Sequence, residues 1–161
     1  MTARALAGPA GLAGLAGLGS AALLLGALAF QFIGGLAPCP MCIWQRWPHV
    51  IAVGLAVVVA TLPRQARRVA ALGVIVMLVA AGLGLFHAGV EQGWWEGPST
   101  CVGGPVEGLS TDELLDQIMT APLVRCDEIV WDLFGITMAG WNAILSLVLA
   151  ALWASAARAG R

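Results

Sequence analysis

The chain has 161 residues, 60% of them hydrophobic and 11% charged, with a formal net charge of −1. A soluble domain carries about 25% charged residues, so this composition, with a mean hydropathy of +0.89, excludes an ordinary soluble core. It leaves a membrane protein with room for several spans of about 20 residues and none for a separate soluble domain, and the absence of a basic run gives no sign of nucleic acid.

The first apolar segment runs roughly over 10–33 and opens on GPAGLAGLAGLG, behind Arg4. A Gly/Ala/Leu tract after one arginine is also the form of a signal-peptide h-region. Here the apolar run continues through AALLLGALAFQFI, too long for one. The glycines predict close helix packing through small residues. Further segments cover about 43–62, 69–90 and 136–156. Each is long enough to cross ~30 Å of hydrocarbon at ~1.5 Å per residue. Lipid satisfies no backbone groups and these runs do not alternate, so they predict helices rather than a barrel. The expected fold is an all-α membrane protein, a four-transmembrane-helix bundle forming a single domain over 1–161.

Charge sets the expected orientation. The chain has no lysine, and every acidic residue lies between Glu91 and Asp132. Arg4, the Arg64/Arg67/Arg68 cluster, Arg158 and Arg161 lie outside that stretch. Cytoplasmic arginines put both termini inside and the loops at about 34–42 and 91–135 outside. Arg46 and Arg125 are the exceptions, and both lie near cysteines. In the second outer loop LSTDELLDQIMTAP reads as one short helix. Ser110 and Glu113 form a capping-box pattern, Leu109 and Leu114 suit the hydrophobic staple, and Pro122 marks a stop. Leu114, Leu115, Ile118 and Met119 make an apolar face. It suits packing on the bundle top or a helix lying parallel to the membrane, and the second is the expectation.

Four cysteines, Cys39, Cys42, Cys101 and Cys126, all fall on the outer side, where disulfides persist if that side is a periplasm or exterior. Two pairs suggest themselves, Cys39–Cys42 by spacing and Cys101–Cys126 within the long loop, although four cysteines allow three connectivities. A bridge in the long loop stabilises it by about 3 kcal/mol on the chain-entropy view. So short a loop as CxxC gains little from closure, and such pairs are typically reactive. The spacing is poor for zinc, and Ile43 stands where covalent haem would need histidine, so no metal is expected.

Cys42 lies where the second helix should begin, and the unpaired N–H groups there favour a thiolate. Arg46 is four residues on, hence on the same face, and its guanidinium stays charged. Together they predict a lowered Cys42 thiol and an electropositive pocket just inside the membrane edge. Snorkelling to headgroups is the plainer role for Arg46. An apolar molecule with carbonyl oxygens, such as a quinone, would meet a fixed donor and a thiolate side by side, and Arg46 would stabilise charge on its oxygens. His49 shares that face, as a further candidate or as a packing residue. Pro48 suggests a kink. Trp44, Trp47, Trp94, Trp95, Trp131 and Trp141 lie near the expected outer boundaries and read mostly as belt residues. No GxGxxG follows a strand, so no nucleotide fold is expected.

The motif CPMCIWQR, the later pair Cys101 and Cys126, Phe86-His87 near the end of the third span, and WDLFGITMAGW after Cys126 together resemble the DsbB family of inner-membrane disulfide bond formation proteins. The resemblance covers nearly the whole chain except the glycine-rich first span. It implies a relay. A reduced periplasmic thioredoxin-fold oxidase of the DsbA type attacks a Cys101–Cys126 disulfide at Cys101. Cys126 exchanges with Cys39, and Cys42 is freed toward membrane quinone, ubiquinone or menaquinone. His87 matches a family position linked to quinone binding, while Gln45 stands where some relatives have glutamate. Two other readings compete. The vitamin K epoxide reductase family typically carries its CxxC after the loop cysteines, and here it comes first. A non-enzymatic membrane scaffold with structural disulfides would tolerate Cys42→Ser and Arg46→Ala.

Overall fold

The computed structural model describes residues 8–102, 110–120 and 124–159. In chain order the elements are α1 (Pro9–Phe32), α2 (Pro40–Thr61), a 3-10 turn (Pro63–Gln65), α3 (Ala66–Glu91), α4 (Ser99–Val102), α5 (Thr111–Thr120), the hairpin strands β1 (Asp132–Leu133) and β2 (Ile136–Thr137), and α6 (Met138–Ala159). α1, α2, α3 with its preceding turn, and α6 are long and apolar enough to cross a membrane. The expected all-α four-helix architecture is present, with one two-residue hairpin added. Arg4, Leu109, Pro122 and Arg161 lie outside the described residues, so the staple and the proline stop are not described.

Two helix starts differ from the hydropathy reading, each for a local reason. α2 begins at Pro40 rather than Ile43. Proline at the first turn has no N–H to satisfy, and the Cys39 sulfur accepts from the Cys42 N–H at 3.2 Å as an N-cap. α6 begins at Met138 rather than Ile136. Ile136 and Thr137 pair with Leu133 and Asp132, and the Thr137 hydroxyl accepts from the Gly140 N–H at 3.1 Å. The hairpin turns on Phe134 and Gly135, at φ 57° and 75°. That left-handed region suits glycine but strains a bulky side chain.

The bundle closes through small residues. α3 and α6 make the most extensive contact. A Cβ on Gly84 would fall 2.8 Å from the Ala143 nitrogen, and one on Gly73 would fall 2.3 Å from the Trp153 indole. α1 meets α2 the same way, where a Cβ on Gly17 would lie 2.4 Å from that of Ala56. The core between the helices is mostly alanine around Met77 and Trp153, while Leu18, Leu25, Phe32 and Ile75 point outward. This is the pattern of helices that gain nothing by hiding leucine from lipid and gain by close backbone approach.

Outside the spans, the capping box of α5 forms as expected. The Ser110 N–H and hydroxyl donate to the Glu113 carboxylate at 2.8 and 2.6 Å, which holds the Glu113 carboxyl below its usual range. Leu115 and Met119 on its apolar face are exposed. The arginine cluster Arg64/Arg67/Arg68 sits at the α2–α3 turn, the end of α2 opposite its cysteines.

Candidate active site

The two cysteine pairs converge at one end of the bundle. Cys101 and Cys126 form a disulfide, and both are fully buried. Cys101 is carried on the short α4, which the sequence reading missed; the Cys126 N–H returns to its carbonyl at 3.1 Å. Cys39 and Cys42 are free. Their sulfurs lie 3.0 Å apart, one thiol donating to the other. Cys39, Met41, Val90, Cys101 and Cys126 make one buried apolar cluster, with Cys42 and Val124 packed on it.

The sequence reading points to Cys42 as the stabilised thiolate; in the structure it is the Cys39 sulfur that has donors beside it, the Cys42 N–H at 3.2 Å and His87 Nε2 at 3.6 Å. The hydrogen bond with Cys42 lowers the Cys39 thiol most. Burial opposes it and His87 adds to it, and the result is a thiol lowered to about 4. Cys39 is the cap and therefore sits just before the helical N–H groups, whereas Cys42 lies within the first turn.

A polar network runs beneath the dithiol through three helices. His87 Nε2 lies 3.6 Å from the Cys39 sulfur and 3.8 Å from a Glu91 carboxylate oxygen. On its other side His87 Nδ1 lies 2.7 Å from Gln45 Nε2. Asn142 Nδ2 donates to Gln45 Oε1 at 2.8 Å, and Asn142 Oδ1 lies 2.9 Å from His49 Nε2. Gln45, His49 and His87 are all buried. Sequence reasoning singled out the two histidines but not Asn142, Glu91 or Gln31. The available signal for Asn142 was an amide inside an apolar span, which in a membrane helix turns inward to a partner.

Arg46 is half-buried, and its guanidinium donates to the Gln31 side-chain oxygen on α1 at 2.7 Å. Arg125 belongs elsewhere. It is about half exposed and pairs with Asp127 and Glu128, and it holds the Asp127 carboxyl below the usual range.

Beside the dithiol lies a cavity of about 350 Å³ bounded by α1, α2, α6 and the chain before β1. Leu23, Ala27, Phe30, Met138 and Leu145 give it apolar walls, and side chains including Cys42, Arg46, His49, His87, Glu91 and Asn142 add polar groups to the lining. An apolar lining with a few convergent polar groups is the usual form of a small-molecule site. The donors present suit an apolar ring bearing carbonyl oxygens. Phe30 and Trp131 stack obliquely at one edge, with ring centroids 5.2 Å apart. Cys39, Cys42 and His87 also lie close enough together to ligate an ion, a grouping the sequence spacing did not suggest.

Comparison with known proteins agrees with this arrangement. A family model described as disulfide bond formation protein DsbB matches residues 9–156. The chain is 33% identical over 145 residues to disulfide bond formation protein B 2 of Pseudomonas aeruginosa, covering 83% of this chain and 84% of that protein. It is 30% identical to disulfide bond formation protein B of Stutzerimonas stutzeri, covering 92% and 95%. It is 35% identical to that of Methylococcus capsulatus, covering 81% and 83%. No solved structure matches.

Proposed function

Because the chain belongs to the DsbB family of disulfide bond formation proteins, we propose that it is a quinone-dependent protein thiol oxidase of the bacterial inner membrane. It reoxidises a periplasmic DsbA-type thioredoxin-fold partner. The carrying observation is that both cysteine pairs meet in one apolar cluster beside the cavity, with Cys39, Cys101 and Cys126 buried and Cys42 packed on them. Both termini and the Arg64/Arg67/Arg68 turn face the cytoplasm, α5 lies on the outer membrane surface, and the cysteines face the periplasm.

In this reading the partner's thiolate attacks Cys101 and breaks its bond to Cys126. Cys126 leaves as thiolate and attacks Cys39 of the oxidised Cys39–Cys42 pair, freeing Cys42 into the cavity. Once the partner departs oxidised, Cys101–Cys126 is restored and Cys39 and Cys42 remain as the dithiol. That dithiol loses two electrons and two protons on closing again. A bound ubiquinone or menaquinone would supply the acceptor for both and leave as the hydroquinone. Arg46 holds a carbonyl oxygen and stabilises the charge it gains, and the apolar walls exclude water. His49 and His87 line the same space.

The test is quinone reduction by purified protein with a reduced DsbA-type partner, comparing wild type with Cys42→Ser and Arg46→Met. Turnover should vanish in the first and fall in the second. Failure of the wild type with both quinones would overturn the reading.

A further inference from the structure

The two ring nitrogens of His87 keep different company. Nε2 faces the Cys39 sulfur at 3.6 Å and Glu91 Oε1 at 3.8 Å, both able to accept. Nδ1 faces Gln45 Nε2 at 2.7 Å. The direction of a side-chain amide follows from its partners, and Gln45 has an anchor. Its nitrogen also lies 3.3 Å from the Met41 carbonyl oxygen, which can only accept. With the nitrogen held there, Gln45 Oε1 must accept, and Asn142 Nδ2 donates to it at 2.8 Å. Asn142 Oδ1 is then left to accept from His49 Nε2 at 2.9 Å. Reversing the amides would set Gln45 Oε1 against the Met41 carbonyl. The polarity also leaves His49 Nδ1 as a bare lone pair, and that atom has no partner among the described residues.

We propose that the His49–Asn142–Gln45 chain is a positioning device that keeps a donor against His87 Nδ1, confines the ring proton to Nε2, and so presents an N–H to the Cys39 sulfur. His87 then acts toward Cys39 as a hydrogen-bond donor and not as a base, because the nitrogen facing the sulfur already carries its proton. A proton on Nδ1 would meet the N–H of Gln45. The service falls on Cys39 as thiolate. Cys39 leaves Cys126 with the electron pair of the broken S–S bond. It keeps that pair until it bonds to the Cys42 sulfur, when two electrons pass to the quinone of the proposed reaction. Gln45, Asn142 and His49 touch neither sulfur nor acceptor in this role; they act through His87.

This inference rests on the thiol-oxidase reading for its purpose, but its test uses no quinone. Nitrogen NMR of reduced, 15N-histidine-labelled protein reads the ring proton directly. The chain has two histidines, and His87→Asn identifies the signals of His87 by their loss. The wild type should show Nε2 protonated and Nδ1 bare. In Gln45→Met, Nδ1 loses its donor and should become partly protonated. A wild-type ring protonated on Nδ1 overturns the proposal, as does Gln45→Met with Nδ1 as bare as in wild type. In a Cys42→Ser background, Gln45→Met should make the Cys39 thiol about tenfold weaker as an acid, the size of one hydrogen bond to a charged group, so its thiolate absorbance at the parent's midpoint falls about fivefold. An unchanged absorbance also overturns it. Lost quinone turnover with an intact Nε2–H ring would instead sink the proposed function and leave this inference standing.

Discussion

The Arg46 guanidinium donates to the Gln31 side-chain oxygen at 2.7 Å, tying α2 to the C-terminal end of α1. No carboxylate pairs with Arg46 among the described residues. One neutral acceptor leaves most of its five donors free at the edge of the cavity. Arg46→Met should therefore raise the apparent KM for quinone about tenfold or more, the loss of one charge-assisted hydrogen bond. Exchange with the DsbA-type partner should remain. Gln31→Leu should cost less, because it removes only the tether. Steady-state kinetics with quinone varied separate the two.

The cysteine relay predicts a trapped species. With a DsbA-type partner that keeps only its attacking cysteine, the partner's thiolate breaks the Cys101–Cys126 bond, Cys126 leaves as thiolate toward Cys39, and no second partner thiol releases the mixed disulfide with Cys101, which should accumulate on non-reducing gels. If none forms with any DsbA-type protein, Cys101 does not face the partner.

The lowered Cys39 thiol has a signature in pH. A group lowered on folding adds stability that is full above the unfolded thiol pKa and is lost as pH falls through the folded value, here about 4. Across the window between them the reduced pair carries one thiolate, so closing the disulfide releases one proton rather than two. The potential of the Cys39–Cys42 couple should then fall by about 30 mV per pH step instead of about 59 mV, by the two-electron relation. Redox titration against glutathione or dithiothreitol at several pH values measures the slope. The steeper slope throughout would show that neither thiol is ionised.

Helix packing gives a prediction on stability. Gly84→Ala drives a methyl into the Ala143 and Ala139 backbone and should destabilise the α3–α6 contact by about 1–3 kcal/mol, as overpacking does. Gly26→Ala meets nothing within 4 Å and should be tolerated. Thermal unfolding in detergent compares them.

The α5 cap should matter locally. Ser110→Ala removes the hydroxyl that donates to Glu113 and accepts from its N–H, so amide exchange over 111–116 should speed up several-fold. Glu113 is held below its usual range. The cap's contribution is therefore present at neutral pH and disappears as pH falls through that lowered value. Acid should mimic the substitution.

Much of this architecture was readable because lipid imposes a single rule: long apolar runs become helices. Gly17, Gly73 and Gly84 show that small residues at span interfaces also carry readable packing information. Boundaries were less readable where a side chain intervenes. Cys39 caps α2 with its sulfur, and Thr137 caps α6 after a hairpin that no hydropathy window detects. At the site, sequence spacing put Cys42 and Arg46 on one face, and both line the cavity. Spacing along one helix carries nothing about other helices. The contacts of His87 with Cys39, and of Asn142 with Gln45, join residues far apart in the chain.

Neither sulfur of the Cys101–Cys126 bridge is open to solvent. A small thiol drifting past finds nothing to attack, however reducing its surroundings. Only a visitor that displaces the packing of Met41, Val90 and Val124 around the bridge gains entry. Selectivity for a protein over glutathione then needs no recognition of chemistry at the sulfur; it follows from who can open the door.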